Sequence, residues 1–211
     1  MRIALTQRLM TSPSQCDSGF GIESTWPLFL RNLSDDPLIF QVPNDFLSLP
    51  AWLEVVNPDA VILTGGEDVG KNLDRDALEH AILDLLYGVI PVLGVCRGFQ
   101  IINLWAGGTQ SLDTKNAHVA VSHLVDIKDG SLRDWLGYND LVVNSYHSNF
   151  VGQSELSDQM QVVATAPDGS VESFRSTDGS VLAFQWHPER PSEQNGLISS
   201  YIYRFLHGLG S

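Results

Sequence analysis

Positive charge is scarce in this sequence: 12 lysines and arginines stand against 25 aspartates and glutamates, a formal net charge of −13. That balance argues against nucleic acid or an anionic membrane surface as a partner. It leaves room for a small phosphorylated ligand in a local pocket. Cysteine is nearly absent, with only Cys16 and Cys96. Two thiols make no disulfide framework, which fits a reducing compartment, so a cytoplasmic protein is expected. No run approaches membrane-spanning length, and the apolar opening Ile3-Ala4-Leu5-Thr6 is too short for a signal core. Repeats, low-complexity tracts, charge blocks and linkers are also missing. Residues 1–211 are therefore expected to form a single domain with a real core.

Several catalytic signatures are missing too. There is no Gly-x-Ser-x-Gly elbow, no His-Glu-x-x-His and no phosphate-binding glycine fingerprint. His118 and His123 are five apart with no partner cluster nearby in sequence, so neither a metal site nor a cofactor is expected.

What the chain does have is alternation of apolar runs with helical patterns. Strands are predicted at Ile3–Thr6, Leu38–Val42, Ala60–Thr64 and Val89–Val95, with helices over Glu23–Leu33, around Trp52–Val56 and over Leu73–Tyr87. Leu73, Ala77, Ala81, Ile82 and Leu85 read as the apolar stripe of the last of these. The segment from Thr11 to Gly21, rich in Ser, Gly, Pro and Asp, reads as a loop. After Gly107-Gly108 the pattern becomes strand-rich: His118–Ile127, Leu141–Val143, and a hairpin from Gln161 to Phe174 around Asp168-Gly169. Val181–Trp186 is a further strand and Leu197–Leu206 a closing helix. The expected fold is α/β: a doubly wound, mostly parallel sheet with helices on both faces, plus a small antiparallel strand-rich region.

The chemistry concentrates at Gly94-Val95-Cys96-Arg97-Gly98. A reactive residue between two glycines, where a strand turns into a helix, is a nucleophile elbow with Cys in place of Ser. The helix N-terminus favours the thiolate, and Arg97 adds a neighbouring positive charge. A free cysteine is more often a small buried apolar residue. The balance shifts at Gln185-Trp186-His187-Pro188-Glu189. In extended chain His187 and Glu189 project to one face, their Cα atoms about 6.5 Å apart. Glu189 is thus placed to hold the imidazole in one tautomer. Cys96 and His187 both follow strands, and open α/β sheets bind ligands at the carboxyl ends of their strands. The three residue types suit covalent acyl transfer: Cys96 attacks, His187 carries the proton, Glu189 stabilises the imidazolium. The amide of Arg97 and one from Gly65-Gly66 are candidate oxyanion donors.

Gly94-Val95-Cys96-Arg97-Gly98-Phe99-Gln100 with His187-Pro188-Glu189 resembles the class I glutamine amidotransferase superfamily. Gly65-Gly66-Glu67-Asp68-Val69, Arg75-Asp76, Val143-Asn144-Ser145 and Phe184 to Glu189 look like its γ-glutamyl hydrolase branch, typified by γ-glutamyl-γ-aminobutyrate hydrolase. The resemblance implies a flavodoxin-like glutaminase fold and a Cys96–His187–Glu189 triad with the Gly66 and Arg97 amides at the oxyanion. It also implies that Gln100 and Ser145-Tyr146-His147 hold the glutamyl amino-acid end. Where the branch carries two adjacent histidines and a glutamine, this chain has Tyr146-His147-Ser148-Asn149, which leaves the amine half of the substrate open. The opening Ile3-Ala4-Leu5-Thr6-Gln7-Arg8-Leu9 looks like a subgroup tied to surface-polysaccharide modification, which includes a γ-glutamyl-CDP-amidate hydrolase. In that case Arg8 is a candidate phosphate contact. The expected partner is a small γ-glutamyl molecule; monomer and homodimer are both open. Three alternatives remain: a γ-glutamyl-γ-aminobutyrate hydrolase, a glutaminase subunit feeding ammonia to a synthase partner, and a non-catalytic binding protein on the same fold.

Overall fold

The computed structural model of the chain describes residues 1–11, 18–33, 36–113, 118–191 and 195–208; Cys16 lies outside them. In the first half the elements are β1 (Arg2–Leu5), β2 (Arg8–Thr11), β3 (Ser18–Gly21), α1 (Thr25–Leu33), β4 (Leu38–Gln41), α2 (Leu49–Val56), β5 (Ala60–Leu63), α3 (Leu73–Leu86), β6 (Val92–Val95) and α4 (Arg97–Trp105). The second half adds β7 (Ser111–Leu112), β8 (Val119–Ile127), α5 (Gly130–Leu136), β9 (Asp140–Tyr146), β10 (Asn149–Phe150), β11 (Met160–Thr165), β12 (Val171–Ser176), β13 (Val181–Phe184) and α6 (Asn195–Leu206). No helix among the described residues is long and apolar enough to cross a membrane.

One nine-stranded sheet runs β4-β1-β5-β6-β13-β12-β11-β8-β9. Its first five strands are mutually parallel and the remaining four antiparallel. The expected antiparallel region is therefore an extension of the central sheet. The inner parallel strands β5, β6 and β13 are buried at every position because helices cover both faces. Ile3, Leu5, Ile62, Leu93, Val95, Leu182 and Phe184 pack with side chains of α1, α5 and α6. Ala4, Val61, Leu63, Val92, Val181 and Ala183 pack on the other face with α2, α3 and α4. From β1 the chain steps outward to β4, then returns to β5 on the other side of β1. Beyond that switch point β5, β6 and β13 run parallel, so Gly65, Cys96 and His187 all follow carboxyl ends at one edge of the sheet.

Three expectations need correction. The span from Thr11 to Gly21 is not simply a loop: Arg8–Thr11 pairs antiparallel with Ser18–Gly21 as a two-stranded ribbon. The elbow strand begins at Val92, because Val89 and Ile90 close the end of α3 through hydrogen bonds to the Leu86 carbonyl. The apolar stripe assigned to α3 is also displaced. Leu73 is 73% exposed, and the buried face carries Arg75, Leu78, Glu79, Ile82, Leu83 and Leu86. The cause is a buried charge network. Arg75 Nε donates to Glu79 Oε1 at 3.0 Å, and Arg97 donates to both Glu79 and Asp76. Polar residues thus occupy the inward face, which an apolar-stripe reading assigns outward.

Close approach of α4 to the sheet sets the position of everything at the edge. A Cβ on Gly98 would lie 2.0 Å from the Leu63 carbonyl oxygen, and one on Gly94 would lie 2.9 Å from the Gly98 backbone. Neither neighbour is a flexible side chain, so any Cβ there pushes the helix off the sheet. Gly98→Ala should therefore lower the urea-unfolding free energy by about 1–3 kcal/mol. Gly130→Ala, at the open start of α5 where an added Cβ meets nothing within 4 Å, should leave it unchanged or slightly raised. Equal stability for the two variants would contradict the packing described.

Candidate active site

Cys96 is held where a non-glycine residue seldom sits, at φ 53° and ψ −100°. Such a conformation costs about 1–3 kcal/mol and persists only where the surroundings impose it. Here both backbone groups are fixed. The Cys96 N–H donates to the Phe184 carbonyl of β13 at 2.8 Å, and its carbonyl accepts from Gln100 N at 3.2 Å in the first turn of α4. The side chain is buried at the N-terminus of that helix, where the first amides lack intrahelical partners and the dipole favours an anion.

His187 lies just past β13 and is buried. Its Nδ1 lies 2.7 Å from Oε1 of Glu189, so the carboxylate accepts the Nδ1 proton and leaves Nε2 for chemistry. A residue the sequence reading did not single out for the site clamps its backbone. The Asn144 amide accepts from His187 N and donates to His187 O, both at 2.9 Å. Only its place in the Val143-Asn144-Ser145 motif pointed to it. Gly65 lies against both Cys96 and His187: a Cβ there would sit 2.9 Å from His187 Cε1 and 3.7 Å from Cys96 Cβ. Burial works against charge on the His187 ring. The Cys96 sulfur, as neighbouring charge and hydrogen-bond partner, and Glu189 outweigh it and raise the pKa to about 10.

The Gly65-Gly66 turn is anchored from beneath. Arg75 Nη2 donates to the Thr64 and Gly65 carbonyls at 2.8 and 3.2 Å. Because the peptide is trans, the Gly66 N–H points away from that guanidinium. A Cβ on Gly66 would lie 2.2 Å from Arg75 Nη1 and 3.1 Å from Arg8 Cβ. The Arg97 side chain turns inward and pairs with Glu79 and Asp76, so its charge is neutralised there rather than directed at the thiol. Gln100 is buried on the first turn of α4.

Along the end of β9, alternate side chains take opposite directions. Tyr146 is half-exposed, sits edge-on to His187 with ring centroids 5.8 Å apart, and carries the Arg190 guanidinium 4.5 Å from its centroid. Arg8 pairs with Glu23, which also accepts from Arg190 at 3.3 Å. Ser145 points the other way, its hydroxyl donating to the His118 carbonyl at 2.7 Å. His147 is directed away from Tyr146, into a group with His118, His123 and Glu172. The isolation of His118 and His123 expected from their spacing does not hold in the fold, because the end of β9 and the start of β12 bring His147 and Glu172 to them.

With this geometry in hand, comparison with known proteins defines the class. The profile described as Peptidase C26 matches residues 36–189, and the chain belongs to that family of class I glutamine amidotransferase-like proteins. A Schizosaccharomyces pombe protein carrying a glutamine amidotransferase designation is 34% identical over 160 residues, covering 63% of this chain and 62% of its own length. The γ-glutamyl-CDP-amidate hydrolase of Campylobacter jejuni is 27% identical over 218 residues, covering 97% of this chain and 96% of that protein. A glutamine amidotransferase structure from Thermotoga maritima superposes with a TM-score of 0.69 at 16% identity, covering 97% of each chain, a likeness of fold. The class is thus that of the Peptidase C26 family of glutamine amidotransferase-like proteins, and the chain spans about 62% of the Schizosaccharomyces pombe relative's length.

The raised pKa of His187 makes two predictions. An imidazolium whose folded pKa of about 10 lies above the ordinary 6.5 favours the fold fully below about pH 6.5, and that contribution is lost as pH rises through 10. Removing the sulfur leaves burial opposed by Glu189 alone, so Cys96→Ala should move the His187 titration, followed by NMR of the ring protons, to lower pH. An unchanged titration would separate Cys96 from His187.

Proposed function

We propose that the chain is a cysteine-dependent hydrolase that cleaves a γ-glutamyl amide through a γ-glutamyl thioester and releases L-glutamate. The observation that carries this reading is His187, hydrogen-bonded to Glu189 and raised in pKa by Cys96, beside a thiol at a helix N-terminus. The Cys96 thiolate attacks the amide carbon, and the carbonyl oxygen takes up negative charge facing the Gly66 and Arg97 amides. His187 then gives its proton to the departing nitrogen and the C–N bond breaks. Water, losing a proton to His187, attacks the thioester; the C–S bond breaks and glutamate leaves, restoring the thiolate–imidazolium pair. Glu189 keeps the ring oriented through both halves. Gln100 and Tyr146 flank this pair along α4 and β9 and are assigned to the glutamyl end.

For the amine half we propose a nucleotide phosphoramidate, as in γ-glutamyl-CDP-amidate. Two things support it: the hydrolase of that name aligns along 97% of this chain, and Arg8 and Arg190 meet on Glu23 beside Gly66 and Tyr146. A diphosphate entering there exchanges Glu23 for its own oxygens as partner of the two guanidiniums.

The test is release of glutamate from glutamine, γ-glutamyl-γ-aminobutyrate and γ-glutamyl-CDP-amidate, compared as kcat/KM. The nucleotide amidate should lead, and Cys96→Ala should abolish turnover, a loss on the order of 10⁴-fold or more. Arg8→Ala should raise KM about 5- to 10-fold for the nucleotide substrate and leave that for glutamine unchanged. Undiminished turnover by Cys96→Ala would refute the mechanism. A preference for glutamine that appears only with an added synthase would favour an ammonia-donating subunit.

A further inference from the structure

On the far side of Tyr146 lies a second cluster that the hydrolytic chemistry does not use. Nδ1 of His118, Nε2 of His123, Nε2 of His147 and the carboxylate of Glu172 all lie within 4.8 Å of one another. Glu172 is fully buried, and His118 and His147 are 4% and 3% exposed. Yet those three ring nitrogens and both Glu172 oxygens have no hydrogen-bond partner. Buried polar atoms without partners are rare and costly, and five around one point call for an explanation.

The other nitrogen of each ring supplies it. His118 Nε2 lies 2.9 Å from Asp168 Oδ2, His147 Nδ1 2.9 Å from the Asn149 carbonyl, and His123 Nδ1 3.2 Å from the Leu124 carbonyl. A carboxylate or carbonyl only accepts, so each of these nitrogens carries the proton. The three inward nitrogens are then bare lone pairs, converging with a carboxylate. Four acceptors and no donor repel unless something positive lies between them. Protonating the rings instead would put two stacked imidazolium ions, His118 and His147, with centroids 4.9 Å apart.

The separations fit a cation. The inward nitrogens of His118, His147 and His123 lie 3.5, 3.6 and 3.8 Å from the nearest Glu172 oxygen, too far for hydrogen bonds. Ligands about 2.0–2.1 Å from a tetrahedral zinc ion stand about 3.3–3.4 Å apart, so the carboxylate-to-nitrogen separations are already close to that spacing, and the wider separations within the group, up to 4.8 Å, contract by side-chain rotation as the ion is taken up. We propose that His118, His123, His147 and Glu172 form a binding site for a zinc-like divalent cation. Three imidazoles and one carboxylate suit Zn²⁺ and its Co²⁺ substitute. Protein atoms fill all four positions, so the site is structural rather than catalytic. Asp168 and the two backbone carbonyls orient the rings, as outer partners do in such centres.

Topology shows what the cation holds. β8 pairs with β9 from Val119 to Asp126 but with β11 only at Asp126 and Ile127. The β8–β9 ribbon thus peels away from the sheet toward its His118 end. The four ligands come from the residue before β8, the middle of β8, the residue after β9 and the start of β12, and they bridge that opening. Because His147 follows Tyr146, the cation would also steady the Tyr146 side of the candidate active site.

The experiment uses the whole wild-type chain, stripped with a chelator and desalted. It is titrated with Zn²⁺ against a chromophoric chelator and, separately, with Co²⁺. One equivalent should bind, Co²⁺ should show the visible bands of a four-coordinate site, and Zn²⁺ should raise Tm. Glu172→Gln and His123→Ala should each abolish the competition. Asp168→Asn, altering a half-exposed carboxylate, should weaken binding about 10- to 100-fold and report on the site even where the buried variants do not fold. No saturable equivalent in the wild type, a six-coordinate Co²⁺ spectrum, or unchanged affinity in Asp168→Asn would each overturn the proposal. None of these readouts depends on glutamate release.

Discussion

The contact that fixes the rest is the backbone approach of α4 to β5 and β6. It exists because positions 94 and 98 carry no side chain, and it leaves Cys96 no conformation but one with positive φ. The strain at that residue is offset by the buried apolar faces on either side of the sheet, where Leu63, Phe99 and Ile102 are fully enclosed. Its consequence is a sulfur directed at the edge of the sheet where β5 and β13 also end. His187, the Gly65-Gly66 turn and Cys96 meet because three parallel strands stop together at that edge.

Beneath this edge lies a network of charge. Arg75, Glu79 and Arg97 are buried, with Asp76 and Glu67 at its margin. Buried ion pairs contribute little net stability, because desolvation offsets attraction, but breaking one leaves an unpaired charge at a cost of about 3–5 kcal/mol. Their role here is geometric. Arg75 draws the Thr64 and Gly65 carbonyls down, and Arg97 ties the start of α4 to α3. The Gly65-Gly66 turn and the start of α4 are held from below by one connected set of side chains. Network and candidate site are therefore connected: Glu79 ties Arg75, which holds the Gly65-Gly66 turn, to Arg97 at the start of α4.

Much of this was legible in the sequence wherever the chemistry is contiguous. The elbow is five consecutive residues, so composition sufficed there. His187 and Glu189 were legible as neighbours, but they meet across a turn closed by the Arg190 N–H on the His187 carbonyl, beyond the end of β13, and not along extended chain. The inner parallel strands β5, β6 and β13 were legible because burial on both faces leaves them without charged or polar side chains. The inward face of α3 was not, because Arg75 and Glu79 occupy positions that an amphipathic reading assigns to water. The continuation of the sheet through β12, β11, β8 and β9 was not, because strand order depends on long-range pairing that no local pattern encodes. The His118–His123–His147–Glu172 group was invisible for the same reason: its members lie on three strands, and Glu172 sits in a run that reads only as a hairpin arm. Asn144 looks like an ordinary strand residue until its amide is seen to bridge both backbone groups of His187.

The account stands or falls on whether sulfur at position 96 forms an acyl bond. Intact-mass measurement after incubation with an electrophilic glutamine analogue tests this directly, with peptide mapping of the product. The predicted result is a single adduct of the expected mass located on Cys96, formed faster than on a free thiol and strongly slowed in His187→Ala. An adduct on another residue, or a Cys96 that stays unmodified in folded protein while small thiols react, would contradict it.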